Sequence, residues 1–66
     1  MPLARISLIE GTSDEQRRQL IAKVTDAFVE SVGAPRELVR VLIDELPASN
    51  WGVGGRSFND RAENGG

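Results

Sequence analysis

Apolar and polar positions alternate from the second residue onward. Pro2, Ala4, Ile6 and Leu8 fall on one side of an extended chain, and Leu3, Arg5, Ser7 and Ile9 on the other, the period of two that a β-strand imposes. Both sides carry apolar residues, so neither is expected to be fully solvated. Glu10-Gly11-Thr12 breaks the strand. Ser13 then has the character of a helix N-cap, with Gln16 at the capping-box spacing and Asp14 and Glu15 suited to the positive end of the helix dipole. A helix is predicted from about Asp14 to Val32. Leu20, Val24, Ala27 and Phe28 form its apolar stripe, extended by Ile21 and Val32. Arg17, Arg18, Lys23, Asp26 and Glu30 lie mostly off that stripe. Gly33 provides a left-handed C-cap and Pro35 prevents continuation.

A second strand is predicted from about Leu38 to Leu46, the most apolar stretch of the chain. Val39, Val41 and Ile43 point to one side, and Leu38, Arg40, Leu42, Asp44 and Leu46 to the other. Two strands joined by a long helical crossover lie parallel, as a right-handed βαβ unit. One helix covers one face of such a sheet. The other, carrying Ala4, Ile6 and Leu42 or their opposite numbers, needs a partner subunit. Pro47 to Asn50 is a turn, and Trp51-Gly52-Val53-Gly54-Gly55 leaves room for little but a tight hairpin or bulged edge. The segment from about 59 to 66 is polar, ends in Asn-Gly-Gly, and is expected to be a flexible tail.

Length and composition narrow the choice. Sixty-six residues make one domain, close to the lower limit at which a chain folds alone, and chains of this size without staples commonly gain burial by oligomerising. With no Cys and no His, neither a disulfide nor an ordinary zinc or copper site is expected. A net charge of −2 and a pI near 4.9 argue against a nucleic-acid partner. No apolar run approaches the roughly 20 residues of a membrane span, and no signal-peptide pattern is present. The expectation is a soluble, cytoplasmic protein.

Pro2 is the first candidate for chemistry. Aminopeptidases remove an initiator Met1 readily when proline follows, which would leave a secondary amine at the head of a strand. Proline also simply starts an edge strand well, so position alone does not decide its role. Arg40 sits in an apolar strand, where a guanidinium must either pair with a carboxylate, Asp44 or Glu45 or one from a partner, or project into a polar pocket. Unpaired, it would grip a substrate carboxylate and stabilise an enolate oxygen. Trp51, the sole tryptophan, is either a plug for a subunit interface or an apolar wall that disfavours a protonated amine beside it. The glycines at 52, 54 and 55 fit neither phosphate-loop pattern. Asp14, Glu15, Asp26, Glu30 and Glu37 suit a capped and solvated surface.

In this order, Pro2 after Met1, the strand to Ile9-Glu10-Gly11, Ser13-Asp14-Glu15-Gln16, Ala34-Pro35, Val39-Arg40-Val41 and Trp51-Gly52-Val53-Gly54-Gly55 resemble the 4-oxalocrotonate tautomerases over roughly residues 2 to 57. The resemblance implies an α/β (α+β) fold: a βαβ subunit with a short C-terminal β-hairpin, its parallel two-stranded sheet completed by oligomerisation into a hexamer, a trimer of dimers. It implies a cofactor-independent keto–enol tautomerase of aromatic catabolism, acting on a 2-hydroxy-dienoate or 2-keto acid. Pro2 matches the catalytic proline and Arg40 the arginine that binds a carboxylate and polarises the carbonyl. Trp51 matches an aromatic, often Phe, that keeps the site apolar. Ile9 and Thr12 match the remaining substrate-binding positions, with neighbouring subunits supplying parts of one site. Thr12 departs from the pattern, since dicarboxylate-using members have an arginine there. Losing a charged contact costs about 1.5–3 kcal/mol, which weakens the expectation of a hydroxymuconate substrate; Arg5, Arg36 and Arg56 are cations available to compensate. The mechanism implied is a one-base shuttle, in which neutral Pro2 takes a proton and returns it to a different carbon while Arg40 stabilises the dienolate. The alternatives are a related proline-dependent hydratase or dehalogenase, a biosynthetic member that has lost the second arginine, and a non-catalytic subunit of a hetero-hexamer.

Overall fold

The computed structural model describes residues 1–63, with side chains through Asp60. Strand β1 (Leu3–Ile9) leads into helix α1 (Asp14–Val32), and a short 3-10 turn over Arg36–Leu38 precedes strand β2 (Arg40–Leu46). A second 3-10 turn over Ala48–Asn50 is followed by the short strands β3 (Gly52–Val53) and β4 (Arg56–Ser57), then helix α2 (Phe58–Glu63). The βαβ fold and the C-terminal hairpin are those expected. The strand β2 starts two residues late, because Leu38 and Val39 donate backward to the carbonyls of Pro35 and Arg36 and close a turn instead. Helix α2 occupies part of the stretch expected to be a flexible tail; residues 64–66 of that stretch lie outside the described residues.

The helix ends follow their caps. Ser13 accepts from the Gln16 amide, and the Gln16 side chain accepts from the Ser13 amide, a complete capping box that satisfies two otherwise orphaned donors. Gly33 closes the far end at φ 68°, its amide donating to the Val29 carbonyl, a conformation open to glycine at little cost.

β1 and β2 pair in parallel, with Leu3 beside Arg40, Ala4 beside Val41, Ile6 beside Ile43 and Ile9 beside Leu46. This register places Ala4, Ile6, Val41 and Ile43 together on the helix side. Leu42, grouped with Ala4 and Ile6 in the sequence reading, instead lies beside Arg5 on the opposite face, 39% exposed. Helix α1 lies over β2 rather than β1. Leu20, Val24 and Phe28 are half-buried there, whereas Ile21 and Val32, expected to extend the stripe, are exposed. Between β1 and α1 remains an apolar cavity of about 370 Å³, lined by Ala4, Ile6, Val24, Ala27, Phe28 and Ser31.

No hydrophobic residue among those described is fully buried. The Cα radius of gyration is 15.3 Å, against about 11 Å for a compact chain of this length. No helix among the described residues is long and apolar enough to cross a membrane.

Candidate active site

Pro2 heads the sheet. Its carbonyl accepts from the Arg40 amide at 3.0 Å, which extends the β1–β2 ladder by one rung. Met1 ahead of it is 79% exposed. Arg40 stands beside Leu3, so its side chain leaves the face opposite to that of Pro2. The two residues thus share one end of the sheet through their backbones while their side chains diverge.

The carboxylates proposed to neutralise Arg40 are engaged elsewhere. Asp44 pairs with Arg5 at 3.1 Å and Glu45 with Arg17 at 3.0 Å. The Arg40 guanidinium donates only to the Glu37 carbonyl, at 3.1 Å; among the described residues it has no carboxylate partner. A planar fork of donors left exposed in this way is suited to an anionic ligand.

Ile9 and Thr12 lie at the other end of the sheet. Ile9 lies seven residue steps along the strand from Pro2, about 23 Å at some 3.3 Å per step. Trp51 follows the far end of β2 by five residues. It is half-buried, its amide closes the 3-10 turn onto the Ala48 carbonyl, and its carbonyl accepts from Phe58 at 2.7 Å. Gly54 and Gly55, at φ 63° and 87°, form a two-residue loop that only residues tolerating positive φ can make. One chain therefore gathers Pro2 and Arg40 at one end and Ile9, Thr12 and Trp51 toward the other.

Thr12 belongs to a cluster that sequence reasoning missed. Its hydroxyl donates to Glu45 Oε2 at 2.6 Å and accepts from Arg17 Nη1 at 3.0 Å. The same Arg17 nitrogen donates to the Thr12 carbonyl and Glu45 Oε1, while Nη2 pairs with Asp14. Arg17 is one-quarter exposed, although the helical pattern left it off the apolar stripe. The only sequence signal was its place in the first turn after the cap, where a long side chain reaches the preceding loop. The Thr12 hydroxyl, chiefly, holds the Glu45 carboxyl below its ordinary value; burial opposes it, and the positive charge of Arg17 adds to the lowering. With its one proton committed to Glu45, Thr12 has none to offer a ligand. Among the described residues no group of three acidic, His or Cys side chains is placed to hold a metal.

Residues 2–61 match the family model for the Tautomerase enzyme, and the chain belongs to this family of isomerases. It is 53% identical over 60 residues to the 2-hydroxymuconate tautomerase of Comamonas testosteroni, covering 91% of this chain and 95% of that one. Its fold superposes with a TM-score of 0.92 on TomN, a 4-oxalocrotonate tautomerase homologue in the tomaymycin biosynthetic pathway, at 42% identity over 94% of this chain and 95% of that one. A heterohexameric 4-oxalocrotonate tautomerase from Chloroflexus aurantiacus gives a TM-score of 0.87 at 37% identity, over 91% and 97% of the two chains.

Proposed function

We propose that this chain is a cofactor-independent keto–enol tautomerase whose base is the secondary amine of Pro2 after removal of Met1. The neutral nitrogen takes the hydroxyl proton of a 2-hydroxy-dienoate. Arg40 of a neighbouring subunit holds the substrate carboxylate and the negative charge that develops on the C2 oxygen. The protonated proline then returns the proton to a carbon of the dienolate, so that one O–H bond is exchanged for one C–H bond and the amine is regenerated. Ile9 and Trp51 supply apolar walls that keep water from the amine. Thr12 borders the site, its hydroxyl proton held by Glu45.

The observation that carries this reading is Arg40, a guanidinium without a carboxylate partner among the described residues. The similarity to a 2-hydroxymuconate tautomerase supports the reaction class. The divergence of the Pro2 and Arg40 side chains and the strand length between Pro2 and Ile9 both favour a site shared between subunits, and a homo-hexamer is the proposed assembly. A second reading, a biosynthetic tautomerase acting on a monoacid, is favoured by the likeness to TomN and by the uncharged Thr12.

The test is ketonisation of 2-hydroxymuconate and of phenylenolpyruvate by protein whose intact mass shows that Met1 is gone. Turnover that falls about 100-fold or more in Pro2→Ala, within the range of a general base, is the expected result. Unchanged turnover in that variant overturns the proline mechanism. A rate with the monoacid alone selects the biosynthetic reading.

A further inference from the structure

The hairpin places a second unclaimed guanidinium next to Trp51. Val53 pairs with Arg56 and Gly52 with Ser57, and the Phe58 amide donates to the Trp51 carbonyl. Alternation along the two strands therefore puts Trp51, Val53, Arg56 and Phe58 on one face. Arg56 is the diagonal neighbour of Trp51 across the hairpin, a separation of about 7–8 Å that a long side chain spans. That face is open: Val53 and Phe58 are 37% and 41% exposed.

Charge pairing singles Arg56 out. Arg5, Arg17, Arg18 and Arg36 are each tied to a carboxylate. Among the described residues, the arginines without one are Arg40 and Arg56, and Arg56 has no side-chain hydrogen bond either. A cation standing on an apolar aromatic face is built to take an acid whose carbon skeleton lies against that face. Thr12 cannot do this work, because its proton is held by Glu45.

We propose that Arg56 is a second carboxylate anchor, a specificity residue that receives the distal acid of a dicarboxylate enol while Arg40 holds the acid next to the reacting oxygen. This rests on the reading that Trp51 lines the tautomerase site. It assigns the substrate class as an unsaturated diacid whose apolar middle lies on Trp51 and Val53.

The experiment compares wild type, Arg56→Gln and Arg56→Lys with 2-hydroxymuconate and phenylenolpyruvate. The diacid KM should rise about 10- to 100-fold in Arg56→Gln, with kcat within about threefold and the monoacid KM unchanged. Arg56→Lys should recover part of the loss, since charge survives and the bidentate fork does not. Adipate binding, followed by NMR on the same proteins, should weaken in parallel while hexanoate binding stays the same. An Arg56→Gln variant whose diacid and monoacid constants change together, or not at all, overturns the proposal. So does a wild-type chain that turns over the monoacid alone. Failure of the wild type with both enols sinks the tautomerase reading instead. Adipate then decides the Arg56 subsite by itself, and binding no tighter than hexanoate overturns it.

Discussion

Arg40 illustrates how one side chain is interpreted by what its neighbours are already doing. Asp44 and Glu45 were the acids able to neutralise it, and each is taken by another arginine, Arg5 and Arg17. Replacing Arg40 should accordingly leave the fold intact and remove ligand binding. Arg40→Gln is expected to retain the wild-type melting temperature within a few degrees and to lose about 100-fold in kcat/KM; a loss of stability comparable to a core mutation would show that the residue is structural. Glu45 gives a different kind of test. Its carboxyl titrates below the ordinary value of 4.5, first because Thr12 donates to it and then because Arg17 is near. A folded pKa below the unfolded one adds stability that is present above the unfolded value and is lost as pH falls through the folded one. The acid limb of the stability curve, below about pH 4.5, should therefore contain this contribution. Thr12→Val should move the Glu45 midpoint, read by carbon-detected NMR, upward toward the ordinary glutamate value. An identical midpoint in the two proteins would mean that the hydroxyl does not hold the carboxylate.

At the scale of elements, the short hairpin depends on its loop more than on its ladder. Two two-residue strands contribute little, so the positive φ angles of Gly54 and Gly55 determine whether the hairpin forms beside Trp51. Gly55→Val forces a β-branched residue into that region at about 1–2 kcal/mol. The emission of Trp51, the sole tryptophan, should then shift to the red as its half-buried ring is released; unchanged emission would show that the 3-10 turn alone positions it. Such loops are legible in sequence because only glycine-like residues make them, and the same holds for the Ser13–Gln16 capping box and the Gly33–Pro35 stop. Alternation in β1 likewise fixed which residues share a face. The register between the strands was not legible, because each strand has apolar residues on both faces and either alignment satisfies the pattern; this is why Leu42 was grouped with Ala4 and Ile6. The Thr12–Arg17–Glu45 cluster escaped for a related reason. Its members are 5 and 28 residues apart along the chain, and nothing local to any of them names the others. Arg40 and Trp51 stood out because each is chemically out of place where it occurs, and Pro2 because it follows Met1 directly, but the distribution of these groups over two ends of the sheet required the register.

The whole molecule has an apolar cavity open beside β1 and no fully buried hydrophobic residue among those described, so the proposed association would supply burial that the single chain lacks. The hydrogen-bond geometry indicates where the proposed association would happen. The Pro2 carbonyl and the Glu10 amide both face β2, and residues of the same parity, Ala4, Ile6 and Leu8, do likewise in a parallel ladder. Leu3, Arg5, Ser7 and Ile9 therefore present their amides and carbonyls to the open edge, where unpaired backbone groups seek another strand. An antiparallel copy of β1 at that edge would bring Pro2 of one chain near Ile9 of the other and join the separated halves of the proposed site. Ser7→Pro removes one outward-facing amide at the middle of this edge and leaves the inward ladder to β2 untouched. Light scattering of the wild type should give a mass near six chains, and its melting temperature should rise with protein concentration as mass action requires. Ser7→Pro should give a smaller species with little tautomerase activity. An assembly of unchanged mass and rate in that variant would place the subunit contact elsewhere and leave the shared site without its structural basis.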